Sequence, residues 1–195
     1  MIKSLYKTFQ HWSDGGSVWI ISDTHFGDSD CKYIDPDWIE PQEQVDIINN
    51  CVFKNDYLIH LGDVGAAEWV EKIKCQNRVL ILGNHDKPSQ YKGLFKEVYS
   101  GPLFIADRIL LSHEPIFGLE SICLNIHGHD HYGMHHDRHI NLAANVNWYM
   151  PKNLGVFIKT GGLSDIPSIH RITIDLANCA KAEQRAELND RKIFL

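Results

Sequence analysis

The sequence predicts an α/β fold in which at least three parallel strands end at one edge of a sheet. Short apolar segments rich in β-branched and aromatic residues alternate with longer segments that have helical spacing. This alternation favours parallel strands joined by right-handed crossovers. Polar residues follow these apolar segments at once, and open α/β sheets bind ligands where the strands end.

The first half of the chain supplies the alternation of strands and helices. Strands are predicted over residues 17–22, 57–61 and 78–82, and helices over residues 41–53 and 66–74. In the first of these helices, Pro41 suits the first turn and apolar residues recur at helical spacing as far as Phe53. In the second helix, Trp69, Val70 and Ile73 share one side.

The second half is predicted to contain a hairpin and further strands. Residues 102–106 and 109–112 form the hairpin, and residues 122–126, 140–146 and 155–160 are predicted strands. Residues 167–188 fit either an alternating strand or a helix, and Pro167 with the helix formers that follow favours the helix. No repeat, low-complexity tract or linker interrupts the chain, so we expect a single domain over residues 1–195.

Composition limits the class of protein. A chain of 195 residues with 44% hydrophobic residues can bury one sizeable core. Its 19 Lys and Arg against 25 Asp and Glu argue against a protein that coats nucleic acid. The 5 cysteines are scattered, which indicates neither a disulfide framework nor a thiolate metal site. Because no secretory signal or bilayer-spanning segment can be recognised, we expect cytoplasmic residence and no membrane partner.

Five polar motifs follow predicted strands in order along the chain. They are Asp23-Thr24-His25, Gly62-Asp63, Gly83-Asn84-His85-Asp86, His113 and Gly128-His129-Asp130-His131. Residues two apart on an extended strand end face the same side, so Asp23 and His25 can reach one ion. The same geometry applies to His129 and His131. Asp63 has two carboxylate oxygens and can bridge two cations, so the set predicts a hydrolase site with two metals.

These motifs resemble those of the calcineurin-like metallophosphoesterase family, whose pattern is D-x-H, G-D, G-N-H-D or G-N-H-E, a lone H, and G-H-x-H. The resemblance covers residues 23–131 and is to the compact bacterial and phage-type phosphoesterases. It implies a four-layer αββα sandwich of mixed sheets, with two divalent metals at the carboxyl edge of the strands. The mixed imidazole and carboxylate donors accept Mn, Fe, Zn, Ni or Co.

The resemblance also implies a role for each motif residue. One metal would be held by Asp23, His25, Asp63 and His131, and the other by Asp63, Asn84, His113 and His129. Asp63 would be the bridge, and a hydroxide shared between the metals would attack phosphorus in line. His85 would give a proton to the leaving group or hold a phosphoryl oxygen. Asp86 would either fix the imidazole of His85 or close the turn.

We therefore expect a metal-dependent phosphoester hydrolase, and more specifically a phosphodiesterase that acts on a small molecule or a nucleotide. A monoester dianion would benefit from more cationic groups than Lys32, Lys87 and Arg138, the ones near the motifs. A nuclease acting on RNA or DNA is the main alternative, followed by a phosphomonoesterase. A scaffold without activity is a further alternative, but the complete ligand set and His85 argue against it.

Other residues near the motifs receive simpler interpretations. His60 lies inside a predicted strand and is interpreted as a packed core residue. His127 either supports the site or packs within its strand, and Asp28 is a loop residue or a rim contact. Three loop histidines are interpreted as solvated rather than as a third metal site: His135, His136 and His139. Three aromatic residues could stack on a base, although a core position is commoner: Tyr33, Trp38 and Trp148.

Overall fold

The computed structural model describes residues 17–105, 108–133 and 138–155, and within them the strands form two sheets. The strands are β1 (Val18–Ile21), β2 (Tyr57–His60), β3 (Asn77–Ile81), β4 (Glu97–Tyr99), β5 (Leu103–Ile105), β6 (Ile109–Leu111), β7 (Leu124–His127), β8 (His139–Asn141) and β9 (Lys152–Asn153). The α-helices are α1 (Cys31–Ile34), α2 (Pro41–Cys51) and α3 (Ala67–Val70), with 3-10 helices at Pro88–Tyr91 and Asn145–Asn147.

The first sheet confirms the predicted parallel arrangement. Its five strands have the order β4-β3-β2-β1-β9. The pairs β1 with β2, β2 with β3 and β3 with β4 are parallel, while the short β9 pairs antiparallel with β1. The first three strands therefore end at the same edge, as the alternation of strands and helices predicted.

The second sheet contains the predicted hairpin. Its order is β5-β6-β7-β8, with β5 antiparallel to β6 and the other two pairs parallel. A bridge between Ser22 and Ala143 joins the ends of the two sheets, and the backbone N–H of Ser22 donates to the carbonyl of Leu142 at 3.0 Å. Residues that follow β1 and residues that follow β8 are thereby brought to one place.

The helix predicted over residues 66–74 is shorter in the structure, where α3 begins at Ala67 and ends at Val70. The guanidinium of Arg78 donates to the carbonyls of Val70 and Ile73 at 3.1 and 2.9 Å. A side chain from a neighbouring strand therefore satisfies carbonyl groups at and just beyond the end of the helix.

The strand predicted over residues 140–146 is wrong beyond Asn141, where β8 ends and a 3-10 helix follows. The side-chain amide of Asn147 donates to the carbonyls of Asn141 and Ala143 at 2.8 and 3.1 Å. These bonds close a turn in place of a strand ladder. The prediction for residues 155–160 falls outside the described residues except at Gly155, which is helical, and that for residues 167–188 lies wholly outside them.

Two apolar clusters cover the two faces of the first sheet. The cluster between the sheets includes Ile20 and Ile59 from the first sheet and Leu111 and Ile126 from the second. The cluster on the outer face packs strand residues such as Leu58 against the helices. Successive strand residues face opposite sides, so the first sheet is apolar on both faces, as expected for a parallel sheet covered on both sides. In the described part of the chain, no helix is long and apolar enough to cross a membrane.

His60 is a packed core histidine, as predicted. It is 2% exposed, its Nδ1 accepts the N–H of Gly62 at 3.2 Å, and its Nε2 donates to the hydroxyl of Thr24 at 3.0 Å. The Thr24 hydroxyl in turn donates to the carbonyl of Val64 at 2.9 Å. Burial disfavours the charged imidazolium and lowers the pKa of His60 to about 4.

Replacing His60 with Gln should reduce the loss of stability on acidification. Because the unfolded chain keeps a His pKa near 6.5, folding favours the neutral ring, and this stability is lost as the pH falls from about 6.5 towards 4. In metal-free protein, the unfolding free energy of His60→Gln should fall less steeply over this range than that of the wild type. The two slopes should differ by up to about 1.4 kcal/mol per pH unit. Urea unfolding at several pH values measures this free energy, and replacement of the exposed His85 with Gln serves as the control. Parallel curves for wild type and His60→Gln would contradict the assignment.

Candidate metal centre

The predicted motifs converge where the strands of the two sheets end. Each candidate residue lies just beyond a strand: Asp23 and His25 after β1, Asp63 after β2, Asn84 after β3, His113 after β6, and His129 and His131 after β7. Asp23 and Asp63 are buried, whereas Asn84 and His129 are exposed. The site therefore has a buried floor of carboxylates and an open side.

The backbone at four of these residues is left-handed rather than extended, which corrects the predicted geometry. Asp23, His25, Asp63 and His129 have φ values of 53, 40, 54 and 67°. Such values are uncommon for residues other than glycine and cluster at functional sites. They persist here because the loops are hydrogen-bonded to each other, Asp23 N–H to the carbonyl of Gly62 and His25 N–H to that of Asp63, at 2.9 and 3.0 Å.

A first group of donors consists of Asp23, His25 and His131, whose ligand atoms lie within 4.8 Å of one another. The Oδ1 atom of Asp23 and the Nε2 atom of His25 are buried without a hydrogen-bond partner. Nδ1 of His131 donates to the side-chain oxygen of Asn145 at 3.0 Å, which leaves Nε2 with a free lone pair 3.9 Å from Asp23 Oδ1. Buried polar atoms without partners are costly, and a cation among these donors would satisfy them.

A second group consists of Asp63, His113 and His129, again within 4.8 Å of one another. The side-chain oxygen of Asn84 lies 2.8 Å from Nε2 of His113 and 3.2 Å from Nδ1 of His129. Nδ1 of His113 donates to the carbonyl of Leu61 at 3.0 Å. That bond fixes the ring and directs Nε2 towards the carboxylate and the amide.

One oxygen of Asp63 lies between the two groups. Its Oδ2 is 3.3 Å from Nε2 of His113 and 3.7 Å from Nε2 of His25, while its Oδ1 accepts the backbone N–H of His85 at 2.9 Å. Burial by itself would raise the pKa of Asp63, but the hydrogen bond and charge of His113 and the N–H of His85 lower it to about 2. The carboxylate is therefore ionised and directed by one oxygen at both groups.

Burial also shapes the protonation of the first group. It raises the pKa of Asp23, although the charge of His113 and the N–H of His129 oppose the shift. It lowers the pKa of His25, against the pull of the neighbouring carboxylates. A neutral imidazole is the form that binds a metal, and a cation beside Asp23 would favour the ionised form of its carboxylate.

Two glycines allow the loops to approach each other. A Cβ atom at Gly83 would collide with the side chain of Asp63, and one at Gly128 would collide with the side chains of Asp23 and Ser22. Side chains at either position would push the donor groups apart.

Asp86 closes the turn, which is the second of the two roles considered for it. Its carboxylate accepts the backbone N–H groups of Asp63 and Gly83 at 2.8 and 2.9 Å and that of Val64 at 3.0 Å. It also accepts the hydroxyl of Tyr91 at 2.8 Å. The loop that follows β2 and the loop that follows β3 are thus held by one buried set of hydrogen bonds.

A cavity of about 320 Å³ opens over both groups. His85 lies on its wall, exposed, with its ring centroid 5.7 Å from that of His25. Asp28, Asp30 and Cys31 line another part of the wall. The imidazole of His85 is therefore accessible to a molecule in the cavity.

Several residues at the site were not predicted from the sequence. Asn145, which holds His131, lies in a segment predicted as a strand, and no local signal marks it. Cys31 forms a further group of potential donors with His25 and Asp28, although no thiolate site was expected. Trp38 is only 6% exposed and packs against the site, whereas Tyr33 and Trp148 are exposed, so the core position expected for these two is wrong.

The remaining histidines have separate positions. His127 is buried, and its Nδ1 donates to the carbonyl of Gly128 at 2.8 Å, next to the loop that carries His129. The solvated loop position predicted for His139 is wrong, because this residue is 8% exposed in β8 and its Nε2 atom lies 3.2 Å from Oε1 of Glu120. His135 and His136 lie outside the described residues.

A family model of calcineurin-like phosphoesterases matches residues 16–162 of this chain. The chain belongs to the calcineurin-like phosphoesterase family. The family predicted from the motifs is therefore confirmed, and the paired donor groups agree with metal-dependent hydrolysis of phosphoesters. All the metal-site motifs of this phosphoesterase lie within the matched range.

The chain is also similar to a solved structure of a protein of unknown function from Aquifex aeolicus. The two share 26% sequence identity with a TM-score of 0.64, over 74% of this chain and 98% of that one. No curated protein is significantly similar to this phosphoesterase.

Replacing Asp86 with Ala should loosen the site, because three backbone N–H groups would lose their acceptor and the Tyr91 hydroxyl would keep only the carbonyl of Gly65. We expect a loss of at least about 2 kcal/mol in unfolding free energy and a lower metal content after dialysis against divalent ions. Urea unfolding and elemental analysis measure these quantities. Tyr91→Phe, which removes one donor and leaves the carboxylate, should cost only about 1 kcal/mol. An Asp86→Ala variant as stable as Tyr91→Phe would contradict this role.

Proposed function

We propose that this protein is a phosphodiesterase with two divalent metal ions, acting on small or nucleotide phosphodiesters. The observation that carries the proposal is the position of Asp63 Oδ2 between two groups of imidazole and carboxylate donors. Two divalent cations bound side by side stabilise both the attacking and the leaving oxygen in phosphoryl transfer, and Asp63 would supply a ligand to each.

The proposed ligands are those predicted from the motifs. Asp23, His25, Asp63 and His131 would hold one ion, and Asp63, Asn84, His113 and His129 the other. The unpartnered buried atoms of Asp23 and His25 support the first set, and the close approach of Asn84 to both imidazoles supports the second. Mn, Fe, Zn, Ni and Co all suit these donors, and manganese is the ion proposed for the first assays.

When bound, the two ions would activate water as the nucleophile and neutralise charge on the phosphoryl oxygens. His85 is proposed as the group that gives a proton to the departing oxygen. Its imidazole is exposed on the cavity wall, while its backbone N–H is tied to the Asp63 carboxylate. That hydrogen bond fixes the backbone of His85 beside the Asp63 carboxylate.

The charge of the cavity favours a diester over a monoester. Among the described residues, its lining includes the acidic Asp28 and Asp30 and contains neither lysine nor arginine. A diester carries one negative charge where a monoester carries up to two, so it depends less on additional cations. The same acidic lining disfavours a long polyanion such as RNA or DNA, and no described feature favours the nuclease alternative.

Three further features predicted from the sequence stay predictions and are part of this proposal. They are the complete four-layer αββα sandwich, the single domain over residues 1–195, and cytoplasmic residence. Helices on the outer face of the first sheet and the packing of the two sheets support the first of them.

Purified protein with Mn²⁺ should hydrolyse bis(p-nitrophenyl) phosphate faster than p-nitrophenyl phosphate, because the acidic cavity opposes the dianion. Release of nitrophenolate measures both rates, and oligonucleotide cleavage is assayed in parallel.

Asp63→Asn should abolish activity and reduce bound metal, since a neutral amide holds two cations less well. A much faster monoester reaction would overturn the diesterase assignment, and full metal content in Asp63→Asn would overturn the bridge.

Replacing His85 with Ala should keep both metals and lower turnover most strongly for esters with a poor leaving group. An alkoxide needs a proton as it departs, whereas nitrophenolate does not. The kcat values of an alkyl nitrophenyl diester and a dialkyl diester are compared in wild type and variant, with metal content as control. An equal loss on both substrates would remove the proton-donor role.

A further inference from the structure

A second cavity adjoins the proposed metal centre. It encloses about 380 Å³ between the loop that carries Asp28, the start of α2 and Trp69. Asp28 lines both this cavity and the one over the donor groups. The ring of Trp38 separates the two, because it lines the second cavity and meets the rings of His25 and His131 edge-on at centroid distances of 6.0 and 5.6 Å.

The walls of this second cavity present aromatic surfaces that are held in place. Trp38 also packs edge-on against Tyr149 at 5.7 Å, and the Tyr149 hydroxyl accepts the N–H of Ile39 at 3.4 Å. Trp69, on another wall, has the ammonium of Lys72 over its ring at 3.5 Å from the centroid. Rigid indole rings bind flat aromatic groups with little loss of side-chain entropy.

The rim carries one cationic and one anionic side chain side by side. Nζ of Lys32 donates to Oε1 of Glu40 at 2.9 Å, and both side chains are exposed. An exposed ion pair of this kind contributes little to stability, so a ligand can replace it with its own hydrogen bonds. With Asp28 nearby, the lining has two carboxylates and one ammonium, which suits a neutral polar group better than a second phosphate.

We propose that this cavity binds the nucleobase of a nucleotide phosphodiester whose phosphate lies at the metal centre. The inference rests on the proposed function and adds the substrate class to it. The cavity volume is at the lower end for ligand pockets, as a nucleoside-sized group requires. Guanine complements the rim best, because its carbonyl accepts from Lys32 while its ring N–H and amino group donate to Glu40. Adenine presents an amino group where guanine has the carbonyl.

A pair of substrates with the same leaving group tests the proposal. The p-nitrophenyl ester of guanosine 5′-phosphate should have a kcat/KM about tenfold or more above that of ethyl p-nitrophenyl phosphate, with the adenosine ester between them. Trp69→Leu and Glu40→Ala should bring the guanosine ester down towards the ethyl ester while leaving the ethyl ester unchanged. Glu43→Ala and Phe53→Leu, exposed changes outside the cavity, should change neither. Equal wild-type rates on all the esters, or an unaltered ratio in both cavity variants, would overturn the proposal.

Binding of guanosine to metal-free protein provides a readout that does not depend on catalysis. Titration calorimetry should show one saturable site that is weakened in Trp69→Leu, with thermal unfolding to verify that the variant is folded. If guanosine binds but no ester is cleaved with any of the five metals, the proposed function fails and the base site stands. If esters are cleaved but guanosine does not bind, the base site fails alone. The same conclusion follows if guanosine binds but the guanosine ester is cleaved no more efficiently than the ethyl ester.

Discussion

The Asp63 carboxylate, held between two sets of imidazoles, is the constraint on which the rest of this site depends. Its Oδ2 faces His25 on one side and His113 on the other, while its Oδ1 is fixed by the N–H of His85. The loop that carries it is fixed in turn by the carboxylate of Asp86. A shift of this one side chain would separate the donor groups, so the architecture can be understood as a means of fixing its position.

The strained backbone has the same explanation. Left-handed conformations at Asp23, Asp63 and His129 are individually unfavourable, yet they turn the side chains inward immediately after the strands end. Hydrogen bonds between buried loop segments offset part of that cost, such as the bond from His129 N–H to Asp23 at 2.9 Å. The strained backbone therefore coincides with the positions of the donor side chains.

Sequence patterns were informative where apolar periodicity dominates and misleading where a side-chain hydrogen bond outside that periodicity decides the backbone. The parallel strands and the hairpin followed from apolar periodicity. Helix α3 ended early because Arg78 binds its last carbonyls, and the segment after β8 turned because Asn147 caps it. Neither hydrogen bond could be recognised from the periodic pattern of residues. Arg78 belongs to a different element from the helix that it contacts, and the side-chain amide of Asn147 follows no periodic pattern.

The sequence by itself determined the α/β class of the fold and the family, and it singled out the candidate donor residues, because oxygen and nitrogen ligands follow strand ends in a fixed order along the chain. The tertiary structure decided how these residues are used. One oxygen of Asp63 faces both donor groups, the carboxylate of Asp86 accepts hydrogen bonds from the loops after β2 and β3, and Trp38 separates two cavities. These details depend on distances between segments far apart in the chain. Such distances are set by how the two sheets pack, which no local pattern of residues encodes.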